Sequence, residues 1–122
     1  GSLCNMVECQ VLPAAIRYQR DLASSITSTA QALGSDASLA PQKELLSSLV
    51  GLIGDTMKLV VELKKNIEHA KSLGSEEEKA ATFGSKVRGT MNAIRAKVDA
   101  IELMIDDELW PLPRYWEMLF IK

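Results

Sequence analysis

A chain of 122 residues, 47% of them apolar, is long enough for one domain with a real core and too short for two. Its formal net charge of −2 argues against a nucleic-acid binder, which would carry a basic face. The longest apolar run, residues 45–63, contains Asp55 and Lys58 and alternates with polar residues, so it is no membrane span, and no signal-peptide pattern is present.

The chain opens on Gly1-Ser2 with no initiator methionine. Residues 1–2 read as a cloning scar, and the rest as a fragment of a larger parent protein. Cys4 and Cys9 are the only cysteines. On one helix they stand about 7.5 Å apart along the axis and point to different faces, beyond disulfide reach. Reduced thiols suit a cytoplasmic location.

Helical periodicity begins at once. Residues 3–33 carry Leu12, Ile16, Gln19, Ala23, Ile26, Ala30 and Leu33 at spacings of three and four, the stripe of a first helix. Pro13 lies inside it and removes the bond its N–H would give to the Cys9 carbonyl. That predicts a kink and a phase slip between Leu3/Val7 and Leu12. The alternative is a helix restart with Pro13 in its first turn. Gly34 to Ser38 is a loop with glycine at the helix exit. Pro41 opens a second helix, about 41–73, striped by Leu45, Leu49, Leu52 or Ile53, Thr56, Leu59, Leu63, Ile67 and Ala70. His69 and Lys71 suit the negative end of its dipole, and Gly74 closes it.

Ser75-Glu76-Glu77-Glu78 is a capping box that opens a third helix, about 75–110. Phe83, Val87, Met91, Ile94, Val98, Ile101, Ile105 and Leu109 form its stripe over about ten turns, roughly 50 Å. Pro111 and Pro113 stop it and begin an aromatic tail over 111–122. No segment alternates as a half-buried strand would, and no internal repeat is visible. The fold class is therefore all-α, an up-down-up bundle of three long helices with a short Pro-broken tail. The turn at Gly74-Ser75 puts residues of the second and third helices level when their numbers total roughly 150, and the first loop does the same near 75. Gln19, Thr56 and Ile94 then share one level, where two polar groups could fix the register by bonding each other.

Candidate chemistry is thin. His69 beside Lys71, with both cysteines on another helix, has no metal-ligand spacing, so no metal site is expected. Asp106-Asp107-Glu108 point in different directions and lack calcium-loop spacing. They read as a solvated face, but they sit against the negative end of their helix, and Asp99, Glu102 and Asp106 stack unfavourably on one side. A basic partner, either Arg114 folding back or another part of the parent, is the alternative. Gly51, Gly54, Gly84 and Gly89 fall inside helices and follow no strand, so they suggest close helix approach and not a phosphate loop. No serine, cysteine or lysine has a base placed by a motif, and no catalytic or cofactor-binding residue is expected. A bundle enzyme would need a polar cluster in the core, and Gln19 with Thr56 is too little. The tail differs: Trp110, Arg114, Tyr115, Trp116 and Phe120 are candidate interface residues, because so dense an aromatic patch is seldom left in water. They would cap the bundle's own end or dock on a partner.

Two stretches carry a resemblance. Val11-Leu12-Pro13-Ala14-Ala15-Ile16-Arg17-Tyr18-Gln19 is one. Asp107-Glu108-Leu109-Trp110-Pro111-Leu112-Pro113-Arg114-Tyr115, continuing to Leu119-Phe120, is the other. Together they resemble the C-terminal region of type III glutamine synthetases. The resemblance implies a parent that condenses glutamate and ammonia using ATP and magnesium, as a homo-oligomer built on rings. It also implies that the parent's catalytic groups lie upstream of residue 1, and that the partners of this chain are the parent's catalytic body and neighbouring subunits. A free-standing helical adaptor that offers its face or tail to other proteins is the alternative reading.

Overall fold

The computed structural model describes residues 2–109, with side chains from 3 to 105. Trp110, the tail over 111–122 and the side chains of Asp106, Asp107 and Glu108 lie outside the described residues. Within them the chain is all-α, with three long helices in up-down-up order and no strand among the described residues.

The first helix is continuous but changes pitch. α-Helical turns over Ser2–Met6 pass into a π turn at Val7–Val11 and then into the α-helix Leu12–Leu33. The Leu12 N–H donates to the Val7 carbonyl five residues back, immediately before Pro13. The expected phase slip is present, and it takes the form of one extra residue in a widened turn. That residue lets Cys4 and Val7 on one side and Leu12 and Ala15 on the other face the same core. The seam nevertheless departs from the expected stripe. Ala15 is fully buried and Ile16 is 43% exposed, because the helix continues from Leu12 by a step of three through Ala15 and Tyr18. Leu33, expected in the seam, is also exposed.

Gly34 ends the first helix at φ 69°, in the left-handed region, where a side chain would be strained. The Ser35 N–H donates back to the Ala30 carbonyl at 3.1 Å. A single 3-10 turn, Ala37–Leu39, buries Leu39 and leads into the second helix, Ala40–Lys71, with Pro41 in its first turn. Asp36 and Lys43 pair across this junction. At the far end the helix stops at Lys71, with the Ser72 hydroxyl donating to the His69 carbonyl at 2.6 Å. Gly74 does not adopt a left-handed φ, so the expected glycine closure is replaced by this hydroxyl cap.

The Ser75 hydroxyl accepts from the Glu78 N–H at 3.1 Å, which is the expected cap of the third helix. That helix too contains an extra residue. Glu76–Thr82 is α-helical, Phe83–Val87 forms a π turn, and Arg88–Leu109 is α-helical again. The sequence pattern does not anticipate this second slip, and it corrects the stripe. Phe83 and Met91 are 39% and 38% exposed, while Thr90 is buried at 8%.

The second helix lies between the other two and packs along both, whereas the first and third touch more sparsely. Leu49, Ile53, Val60 and Leu63 supply its share of the core against Val87, Ile94, Val98 and Ile101. Cross-helix pairs fall near the expected register: Glu8 with Lys64 at 2.8 Å and Asp55 with Lys97 at 3.3 Å. The expected bond between Gln19 and Thr56 does not form. Thr56 is fully buried, but its hydroxyl donates to the Leu52 carbonyl of its own helix at 2.7 Å, which satisfies it without a partner. The glycine reading is corrected as well. A Cβ at Gly51, Gly54, Gly84 or Gly89 would meet nothing within 4 Å, so none of them marks a close helix approach.

Candidate functional site

The second π turn shapes a polar contact between the second and third helices. Around it the Ser85 hydroxyl donates to the Ala81 carbonyl at 2.9 Å, and the Thr90 hydroxyl to the Lys86 carbonyl at 2.9 Å. Short hydroxyls bonding back to carbonyls are common where a helix departs from regular pitch. The Thr90 oxygen also accepts from Asn66 Nδ2 of the second helix at 3.0 Å. Above this pair lies an open cleft of about 470 Å³, lined by Leu59, Glu62, Asn66, Ser85, Lys86 and Thr90 among others. Ser85 spends its proton on its own helix, and Asn66 and Thr90 satisfy each other. The arrangement therefore locks two helices together and sets up no nucleophile–base pair.

The opposite side of the third helix mixes apolar and polar side chains. Leu3, Phe83, Val87 and Met91 line a groove of about 340 Å³ with Arg88, Asn92 and Arg95 at its rim. It continues past Met6, itself 42% exposed, towards Asp99 and Glu102. A third groove, about 590 Å³, lies at the first loop between Ile26, Thr27, Ala30 and Gln31 on one side and Asp36 and Lys43 on the other. Of these, the groove at the first loop presents mostly carbon, and the other two mix polar and apolar surface about evenly.

Two charged groups shift with their partners. The hydrogen bond from Lys43 holds the Asp36 carboxyl below the usual carboxylate range. The hydrogen bond to Glu8 raises Lys64 above the ordinary lysine value. The first pair ties the loop to the start of the second helix, and the second joins the first and second helices at the surface.

Of the candidates that the sequence singles out, Trp110, Arg114, Tyr115, Trp116 and Phe120 lie outside the described residues, and His69, Asp99 and Glu102 are exposed. Cys4 is buried, Cys9 exposed, and both thiols are free. Among the described residues no three side chains of metal-ligating type come together. No helix among them is long and apolar enough to cross a membrane. The Asn66–Thr90 lock is not evident from the helical stripes, although an asparagine and a threonine near the expected register total are a signal for it.

No family model matches the chain. Two curated proteins do. Type-3 glutamine synthetase of Dictyostelium discoideum is 29% identical over 126 residues, which covers 100% of this chain and 17% of that protein. Glutamine synthetase of Bacteroides fragilis (strain YCH46) is 30% identical over 115 residues, 92% of this chain and 16% of that protein. The chain thus spans less than a fifth of the length of the curated relatives it matches.

Proposed function

We propose that this chain, which is similar along its whole length to a segment of type III glutamine synthetases, serves such an enzyme as a structural and assembly element and not as its reaction centre. The enzyme would ligate ammonia to glutamate with ATP and magnesium, in the cytoplasm, as a homo-oligomer. The nucleotide and metal would be held by the remainder of that protein. The observation that carries the reading is a helical segment covering under a fifth of its relatives that leaves the large apolar side chains Phe83, Met91 and Met6 about two-fifths exposed. Surface of that kind in a folded bundle suits contact with a larger body. Trp110, Arg114, Tyr115, Trp116 and Phe120 would add to the contact surface.

The test compares a longer glutamine synthetase carrying this segment with a version lacking residues 3–122. Sedimentation and glutamine formation are measured on both, and turnover is measured on the 122-residue chain alone. Loss of assembly or of stability in the shortened enzyme, with no turnover by the chain alone, is the expected result. Turnover or tight ATP binding by the chain alone, or full assembly and activity without it, would overturn the proposal.

A further inference from the structure

We propose that the flank between the first and second helices docks an amphipathic helix from the remainder of the longer protein, one whose apolar stripe is bordered by carboxylates. Two ion pairs fix the geometry of this flank. Glu8 meets Lys64 at 2.8 Å near one end, and Asp36 pairs with Lys43 near the other. Counting from Glu8 and Lys64 along the antiparallel helices brings Ile16 level with Met57, and Ala23 level with Val50. Val50, Met57 and Val61 recur at steps of seven and four, so they form one stripe on the second helix. Each is about half-exposed, as is Ile16 opposite them. These large apolar side chains gather in a strip about 17 Å long, or about three turns of helix. A gathered strip asks for cover in a way that scattered apolar residues do not. The other side of the second helix, with Leu59, Glu62 and Asn66, faces the third helix, which therefore leaves the strip open.

The rim selects the partner. Arg17 and Lys58 directly follow Ile16 and Met57, and Arg20 and Lys65 lie one turn beyond Ile16 and Val61. All four are exposed. Glu8 and Asp36 are already matched by Lys64 and Lys43, and Glu68 lies a turn past Lys64. Arg20 leans on Asp21 at 3.5 Å, while Arg17, Lys58 and Lys65 make no ion pair among the described residues. A second copy would set these cations against themselves, whereas an acidic border complements them. A helix is the fitting element, because it lies lengthwise between two helices and joins the bundle as a fourth member. This chain spans under a fifth of the length of its relatives, which leaves ample chain to supply that helix. Such docking rests on the assembly role proposed above and gives it a surface.

The experiment uses the longer glutamine synthetase that carries this segment. Zero-length carbodiimide cross-linking joins lysines only to carboxylates within ion-pair reach. Cross-links from Lys58 or Lys65 to Asp or Glu outside residues 3–122 are expected, beside local ones within the second helix. Met57→Glu and Lys58→Glu should each weaken assembly about tenfold, read by sedimentation over a dilution series. Leu103→Glu, at an exposed site on the third helix, should leave assembly unchanged. Circular dichroism of the 122-residue chain checks that Met57→Glu stays helical; where it does not, the exposed Lys58→Glu carries the test. Cross-links confined to residues 3–122 of the same chain, indifference to both substitutions, or equal weakening by Leu103→Glu would overturn the docking. The assembly role survives those results if removal of residues 3–122 still breaks the oligomer, and both readings fall if it does not. Cross-links to residues 3–122 of a second copy, told apart by mixing labelled and unlabelled enzyme, would overturn the docking in favour of self-pairing.

Discussion

The Asn66–Thr90 contact offers a measurable test of the interhelical lock at the second π turn. Thr90→Val preserves shape at a site only 8% exposed and removes the oxygen that accepts from Asn66 Nδ2 at 3.0 Å. A neutral hydrogen bond of this kind contributes about 0.5–1.5 kcal/mol net. Asn66 is half-buried, so water can take over part of its amide, which places the expected cost near 1 kcal/mol. For a domain of this size that is a fall in melting temperature of about 3–6 °C. Asn66→Ala should cost a similar amount, and the double variant little more than either alone. Thermal and urea unfolding followed by circular dichroism completes the cycle. Additivity within about 0.3 kcal/mol would refute the lock, since contacting residues couple by more than that.

Other substitutions test neighbouring parts of the fold by the same measurements. Gly34→Ala should destabilise by about 1 kcal/mol through its φ of 69° alone, whereas Gly51→Ala, with open space around its Cβ, should stabilise by up to about 1 kcal/mol. Thr56→Val should be nearly neutral and uncoupled from Gln19→Leu, because the lost bond ran to its own helix; a cost above about 2 kcal/mol would show a partner across the core. Asp36→Asn should remove a contribution that is present above the unfolded carboxylate value near pH 3.9 and lost as pH falls through the lowered folded value. The stability gap between variant and wild type should therefore narrow as pH falls below about 3.9, and a gap that does not narrow in acid would refute the pairing with Lys43.

Three helices, their order and their register were legible in the sequence because each depends on many residues acting together. The cap at Ser75, the left-handed Gly34 and the start at Pro41 each follow from backbone chemistry that one residue states plainly. The π turns were harder, since each displaces the stripe by a single residue. Pro13 announced the first, because a residue without an N–H disturbs the turn before it. Nothing announced the second. Thr90 and Met91 both lie three or four residues from Val87 and from Ile94, so spacing alone could not choose between them. The choice came from across the interface, where Asn66 offers Thr90 a hydrogen bond. The glycines misled for a related reason: their helix cost is visible in a sequence, but the open space around them is not.

The two π turns also differ in what depends on them, and that yields a final prediction. Deleting one residue from a π turn restores regular α-helix and rotates everything on one side by about 100° relative to the other. In the first helix, Cys4 and Val7 on one side and Leu12 and Ala15 on the other are all buried. Removing Gln10 would turn Cys4 and Val7 out of the seam. A buried valine alone accounts for about 1.5–3 kcal/mol, so this deletion should cost at least about 3 kcal/mol in all. In the third helix, the segment before the turn, Glu76–Thr82, buries nothing fully, with only Lys79 and Thr82 half-buried. Removing Gly84, which faces open space, should therefore cost no more than about 1 kcal/mol. Urea unfolding of the two deletion variants decides the matter. Equal costs, or a larger one for Gly84, would show that the second π turn carries packing that the burial of its neighbours does not reveal.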